Sequence, residues 1–385
     1  MPSTLAQAAV TRSPLALVTA ADARVLGIRV PSPAHHRVRP GVYVDAAPWR
    51  RLAPWQRYCV RVHAYLRCRP DAVLCLESAA VVLGLPLFGE PRDIHVSAPG
   101  ARTSRRFGDV VLHTSDDDRE ITRIEGALVT SLLDTVVDLA RAHPPARALA
   151  VADAGISARR GGTLVLDELT ARNAQRHSRR GRARAAWALD RADGDAESVG
   201  ESVSRAVIEW CGYERPELQR VFRYEGHIDR GDFYFPAANA VGESDGWGKY
   251  QLHDPQTAAR MLAAEKRRED RLRRHGHGFA RWDLADAVRV RPLEVALAAS
   301  GVPRVRPREA AMLATLGDRR RDAPPVAPPL RHASSGRAPA RHTTPAEKHR
   351  HAVCLTQKLC LTPEVRVVSG QCAVRAPCPA GTCLC

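Results

Sequence analysis

Aromatic side chains are scarce, at 5% of 385 residues, and there are only three methionines. A core must therefore be assembled from Leu, Val and Ala, and the 44% hydrophobic content is sufficient for folded domains rather than a disordered chain. Long apolar runs are also missing. The most apolar stretch, AVLCLESAAVVLGLPLFG at 72–89, carries Glu77 and a Gly-Leu-Pro stop, short of the roughly 18 uncharged residues a membrane helix requires. No membrane association is expected. LALVTAADA, near the start, imitates a signal-peptide core, but it is short and only Arg12 precedes it, so the expected location is the cytoplasm. Cys-x-x-Cys pairs are absent as well. Cys59, Cys68, Cys75 and Cys211 sit in apolar or helical contexts and read as small buried hydrophobes in a reducing compartment.

What the chain has in excess is arginine. Lys and Arg number 58 against 42 Asp and Glu, for a formal charge of +16. Such an excess favours a polyanionic partner, DNA above all.

The length allows more than one domain. Residues 1–50 read as a shortened winged-helix-like unit: Thr19 caps a short helix, Gly27 stops it, and HHRVRPGVYV follows as a basic hairpin. His36, Arg37 and Arg39 on that wing are candidate contacts to a phosphate backbone; the alternative is a surface hairpin with no ligand. Pro31 and Pro33 leave no room for a full recognition helix between Gly27 and His35. Residues 51–170 read as an α+β module, with helical periodicity over 54–87, extended segments at RDIHVSAPG and DVVLHTS, and an amphipathic helix after Thr130 or Ser131. Asp134 and Asp138 on that helix are expected on an exposed acidic face. Residues 171–196 are arginine-dense and interrupted by Gly181, the pattern of a connecting helix or linker. Arg179, Arg180, Arg182 and Arg184 there are further candidate DNA contacts.

Residues 197–300 follow the order helix, strand, strand, helix, strand (αββαβ). The first helix should bury Val203, Val207, Ile208 and Trp210. The strands YEGHIDRGDFYF and NAVGESD have the spacing of an antiparallel hairpin. Alternation puts Glu243 and Asp245 on one face, and in-register pairing brings Asp232 toward Glu243. Converging carboxylates repel unless a cation lies between them, and such oxygen ligands suit Mg²⁺. Glu201 would add a third oxygen, and Lys249 would orient water or the scissile phosphate. The other reading is a surface hairpin whose acids cap turns. After residue 320 the chain is rich in Pro, Arg and finally Cys, and is expected to be disordered, with cysteine spacings that match no standard zinc site.

Glu201, RGDF at 230–233, ESDG at 243–246, the basic segment 265–276 and Arg281 together resemble the PD-(D/E)XK nuclease superfamily, in its branch related to very-short-patch repair endonucleases. The chain departs from that pattern at Gly231 and Ser244 and lacks a simple Glu-x-Lys ending. RPGVYV at 39–44, ESAAVVLGLPL at 77–87 and GALVTSLLDTVVDLA at 126–140 resemble the AbiEi antitoxin family of type IV toxin-antitoxin systems. That resemblance implies a winged-helix DNA binder that represses its own operon and opposes a nucleotidyltransferase-type toxin. The combined expectation is a DNA-binding regulator of antitoxin type carrying a nuclease-fold domain. Its alternatives are an active Mg²⁺-dependent endonuclease, with Asp232, Glu243, Asp245, Lys249 and Glu201 as the catalytic set and Asp232 and Glu243 as metal ligands, or an interaction protein that never touches DNA.

Overall fold

Short capping and turn signals build the first module. The computed structural model describes residues 11–245, 255–318 and 320–322. Strand β1 (Val18–Thr19) leads into helix α1 (Ala20–Val25), where the Thr19 hydroxyl accepts the Asp22 N–H and the Asp22 carboxylate accepts the Thr19 N–H, both at 3.0 Å. Strands β2 (His35–Arg39) and β3 (Val42–Asp45) form the expected hairpin, and β1 completes an antiparallel sheet of order β1-β3-β2. Helix α2 (Ala46–Arg51) follows.

A mixed sheet comes next. Helix α3 (Pro54–Cys68) precedes β4 (Val73–Leu74), and α4 (Leu76–Leu83) ends on Gly84, whose φ of 74° closes the helix. Strands β5 (Ile94–Ser97), β6 (Arg105–Phe107), β7 (Val110–His113), β8 (Ile121–Ile124) and β9 (Ala127–Thr130) join β4 in the order β6-β7-β5-β4-β9-β8. Ser131 caps α5 (Leu132–Ala142), and α6 (Pro145–Ile156), α7 (Leu166–Gln175) and α8 (Arg182–Leu189) pack with it.

Two readings of this region are corrected. Asp134 and Asp138 are not an exposed acidic face: Asp134 is fully buried and accepts hydrogen bonds from Arg176 at 2.6 Å and Arg172 at 2.9 Å, while Asp138 accepts from Arg119 at 2.6 Å. Nor is 171–196 a connecting linker. Ala185, Ala188 and Leu189 of α8 are buried in the core, Arg176 is buried on Asp134, and Arg182 donates to the Arg176 carbonyl. The arginine density masks a helix pair whose small residues face inward.

Helix α9 (Val199–Trp210) buries Val203, Val207, Ile208 and Trp210, as its periodicity predicts. It is followed by β10 (Glu217–Tyr224), β11 (His227–Phe235), β12 (Ala240–Asp245), α10 (Pro255–Arg274) and β13 (Gly278–Asp283), with sheet order β10-β11-β12-β13. The module is thus αβββαβ rather than αββαβ. β10 pairs along its length with β11 through a tight turn at Glu225 and Gly226, and its alternation was hidden by Arg220 and Arg223. The β11–β12 pair is antiparallel as predicted, and β13 runs parallel to β12. Helices α11 (Leu284–Arg289), α12 (Arg291–Ala299) and α13 (Ala310–Ala314) complete the chain's regular elements among the described residues.

Helix α6 connects the cores. Its Val151, Ala152 and Ala154 belong to the cluster around α4 and α5, whereas Ala146, Ala148, Leu149 and Ala150 belong to the cluster around α9. A helix buried all round is built from alanine because small side chains let neighbours approach on every side. Order also extends beyond the predicted start of the tail: Arg321 pairs with buried Glu77, and Asp322 accepts from Arg147 at 3.1 and 3.3 Å. The Cys-rich segment lies outside the described residues. No helix among them is long and apolar enough to cross a membrane.

Candidate active site

The site is assembled by close backbone approach. A Cβ on Gly200 would stand 2.7 Å from the Ser244 hydroxyl, so the first turn of α9 sits directly on β12 and carries Glu201 to the sheet. Gly242 is equally constrained, since a Cβ there would meet the Trp282 ring at 2.6 Å, and at Gly231 it would meet Val241 at the same distance. These contacts account for both departures noted in the sequence. Gly231 leaves room for Val241, and Ser244 is the buried partner of a glycine rather than a missing apolar residue.

Three carboxylates interact where α9, β11 and β12 meet. Asp232 accepts the Ser244 N–H at 3.0 Å, which ties its carboxylate to the end of the strand bearing Glu243. Glu201 and Glu243 are each 4% exposed. Burial pushes the Glu201 carboxyl up to about 7, and the negative charge of Asp232 adds to the shift. Burial also raises Glu243, with Arg268 opposing and Asp232 reinforcing it. Gln219 on β10 donates to Glu201 at 2.9 Å, and so does the Glu197 N–H.

Helix α10 faces this group with a stripe one turn apart. Arg271 forks onto Asp229 at 2.7 and 2.8 Å and docks the helix on β11. One turn earlier, Arg268 reaches Glu243 at 2.5 Å and the Arg230 carbonyl at 2.6 Å. Arg281, the register partner of Glu243 on β13, bonds Glu243 at 3.2 Å, Glu265 at 3.0 Å and Asp245 at 3.3 Å. Oxygens of Glu243, Asp245 and Glu265 lie within 4.8 Å of one another. Glu243 therefore belongs to two acidic groups, one with Glu201 and Asp232 and one with Asp245 and Glu265.

The donor set is all oxygen, with Glu243 buried and Asp245 and Glu265 partly so, which fits a hard divalent cation. Glu243, Asp245 and Glu265, whose oxygens converge, would hold it, with Asp232 adding negative charge beside Glu243 and Glu201, and the chemistry it would supply is polarisation of a phosphoryl oxygen and activation of water.

The chain is similar to two mycobacterial proteins. Both are from Mycobacterium tuberculosis, strains CDC 1551 / Oshkosh and ATCC 25618 / H37Rv, and each is described as an uncharacterized protein. Each is 34% identical over 173 residues, which is 45% of this chain and 62% of the relative. The chain thus spans less than two thirds of the length of the curated relatives it matches. No protein-family profile and no solved structure matches it.

Of the other predicted residues, Lys249 lies outside the described residues. On the β2–β3 hairpin, Arg37 is exposed, His36 stacks on Trp49 with ring centroids 4.5 Å apart, and Arg39 turns inward to Asp109 at 2.8 Å. Arg179, Arg180 and Arg184 are exposed, while Arg182 is partly buried. Sequence reasoning overlooked Gln219 and Glu265 and did not pair Arg268 and Arg281 with Glu243. The signal for Arg281 is the parallel register of β12 and β13, which needs the three-dimensional pairing to be seen.

Proposed function

We propose that the chain is a DNA-binding protein whose α9–β13 module hydrolyses phosphodiester bonds with a divalent cation, Mg²⁺ in the cell. The carrying observation is the acidic group centred on Glu243, whose oxygens lie within 4.8 Å of those of Asp245 and Glu265, while Asp232 adds negative charge to the buried Glu201 and Glu243. Repulsion of this kind destabilises the fold and is relieved by a bound cation. The resemblance to PD-(D/E)XK nucleases supplies the substrate class. The net charge of +16 and the exposed arginines supply the field that gathers DNA.

A second reading is an AbiEi-type regulator whose nuclease-like module has lost its chemistry, with a nucleotidyltransferase-type toxin as partner. It is favoured by Arg268 and Arg281, which already neutralise Glu243. The test is nicking of supercoiled plasmid and mismatched duplex in Mg²⁺ or Mn²⁺ by the full chain and by Asp232→Ala and Glu243→Ala. Nicking abolished by both substitutions is the expected outcome; DNA binding without nicking, equal in all three proteins, selects the regulator.

A further inference from the structure

A polar cavity lies apart from the carboxylates, between the ends of β5 and β7, the end of α5, the start of α8, and the segment around Arg320 and Arg321. Its volume is about 620 Å³, within the range that takes a small ligand. Seven arginines and three aspartates line it. The aspartates are engaged: Asp138 by Arg119 at 2.6 Å, Asp318 by Arg320 at 3.0 Å, and Asp117 by the His177 N–H at 2.6 Å.

Three of the arginines have no carboxylate partner among the described residues. Arg184 donates only to the carbonyls of Arg141 and Ala142. Arg180 is exposed at the cavity. Arg141 is 9% exposed, donates to the Ser178 carbonyl, and keeps a buried Nε with no partner. Burial lowers the Arg141 pKa, and the charges of Asp117 and Asp138 offset this only in part. The hydroxyl of Ser178, which accepts the Arg180 N–H, and those of Ser104 and Ser115 add donors to the wall.

We infer that this cavity binds a phosphomonoester, with Arg141, Arg180 and Arg184 as its anion clamp. Planar guanidinium forks match phosphate oxygens, and a dianion supplies the negative charge that the lining lacks. The middle of a duplex backbone cannot descend into a cavity of this size. A free phosphate ester or the phosphorylated end of a strand can, and the two present the same group. None of the lining residues is shared with Glu201, Asp232 or Glu243, so this site stands whether or not the other cuts DNA.

The experiment is calorimetric titration of the full chain with adenosine 5′-monophosphate, adenosine, and a 5′-phosphorylated oligonucleotide beside its 5′-hydroxyl twin. Arg180→Gln, Arg184→Gln and, as a control on α1, Arg24→Gln are titrated in parallel. Because Arg180 and Arg184 are exposed, their variants fold. The expected result is at least roughly ten-fold tighter binding of the phosphorylated member of a pair, lost in Arg180→Gln and Arg184→Gln and kept in Arg24→Gln. Preference in the mononucleotide pair identifies a free ester, and preference confined to the oligonucleotide pair identifies a strand end. No phosphate preference in either pair, or a preference that Arg180→Gln and Arg184→Gln leave intact, overturns the inference.

Discussion

At the scale of single residues, Glu201 is the most informative group. Its ordinary carboxyl value in the unfolded chain rises to about 7 in the fold, so the folded state binds a proton more tightly than the unfolded state. The stability it contributes is complete at acid pH and is lost as pH rises through about 7. Glu201→Gln removes that loss while keeping the side chain's shape and its neighbours Gln219 and Glu197. Urea denaturation without divalent cation should show the variant more stable than wild type at pH 8 by about 3 kcal/mol, with little difference at pH 4. Equal stability at both values would mean that Glu201 is not held in this repulsive setting. The pairing of Asp232 with Glu243 was legible from strand alternation and hairpin spacing, because those patterns are local, whereas Glu201 was placed by its helix and the family resemblance. The counter-charges were not legible: Arg268 and Arg281 reach Glu243 from α10 and β13, and no local pattern carries that information.

At the scale of elements, the contrast is between periodicity and identity. The Thr19 cap, the β2–β3 hairpin, α9 with its four buried residues, and the β11–β12 pair all announced themselves through side-chain spacing. Strands β6, β8 and β10 did not, since each carries arginine at exposed positions and is short or edge-like. The α5–α8 region was misread for the opposite reason. Its charges looked solvated, yet Asp134 is fully buried beneath Arg172 and Arg176, and charge in sequence does not reveal whether a partner will arrive from 38 or 42 residues away. Asp134→Ala leaves the buried Arg176 guanidinium with only the more distant Asp138, at 3.7 Å, and should destabilise the chain by about 3 kcal/mol. Thermal and urea melts check this. A loss within about 0.5 kcal/mol, the range of an ordinary surface substitution, would contradict the assignment of this cluster as the tie between α5 and α7.

At the scale of the whole molecule, the proposed DNA partner rests on the net charge of +16. α6 is shared by both cores, packing on α5, α8 and α9. The carboxylate group and the arginine-lined cavity share no residue. DNA binding driven by the overall charge should weaken steeply with salt, by roughly 10³-fold or more between 50 and 200 mM if six or more phosphates are contacted; affinity independent of salt would remove the electrostatic basis of the reading. The proposal that matters most is a divalent-cation site on the acidic group around Glu243. It is tested most directly by calorimetric titration of Mn²⁺ into the full chain and into Glu243→Gln at pH 6.5 in buffers of different ionisation enthalpy. The account predicts a single binding event that expels protons from the raised carboxyls and disappears in Glu243→Gln. Absence of binding at millimolar Mn²⁺, or binding unaltered in the variant, would contradict it.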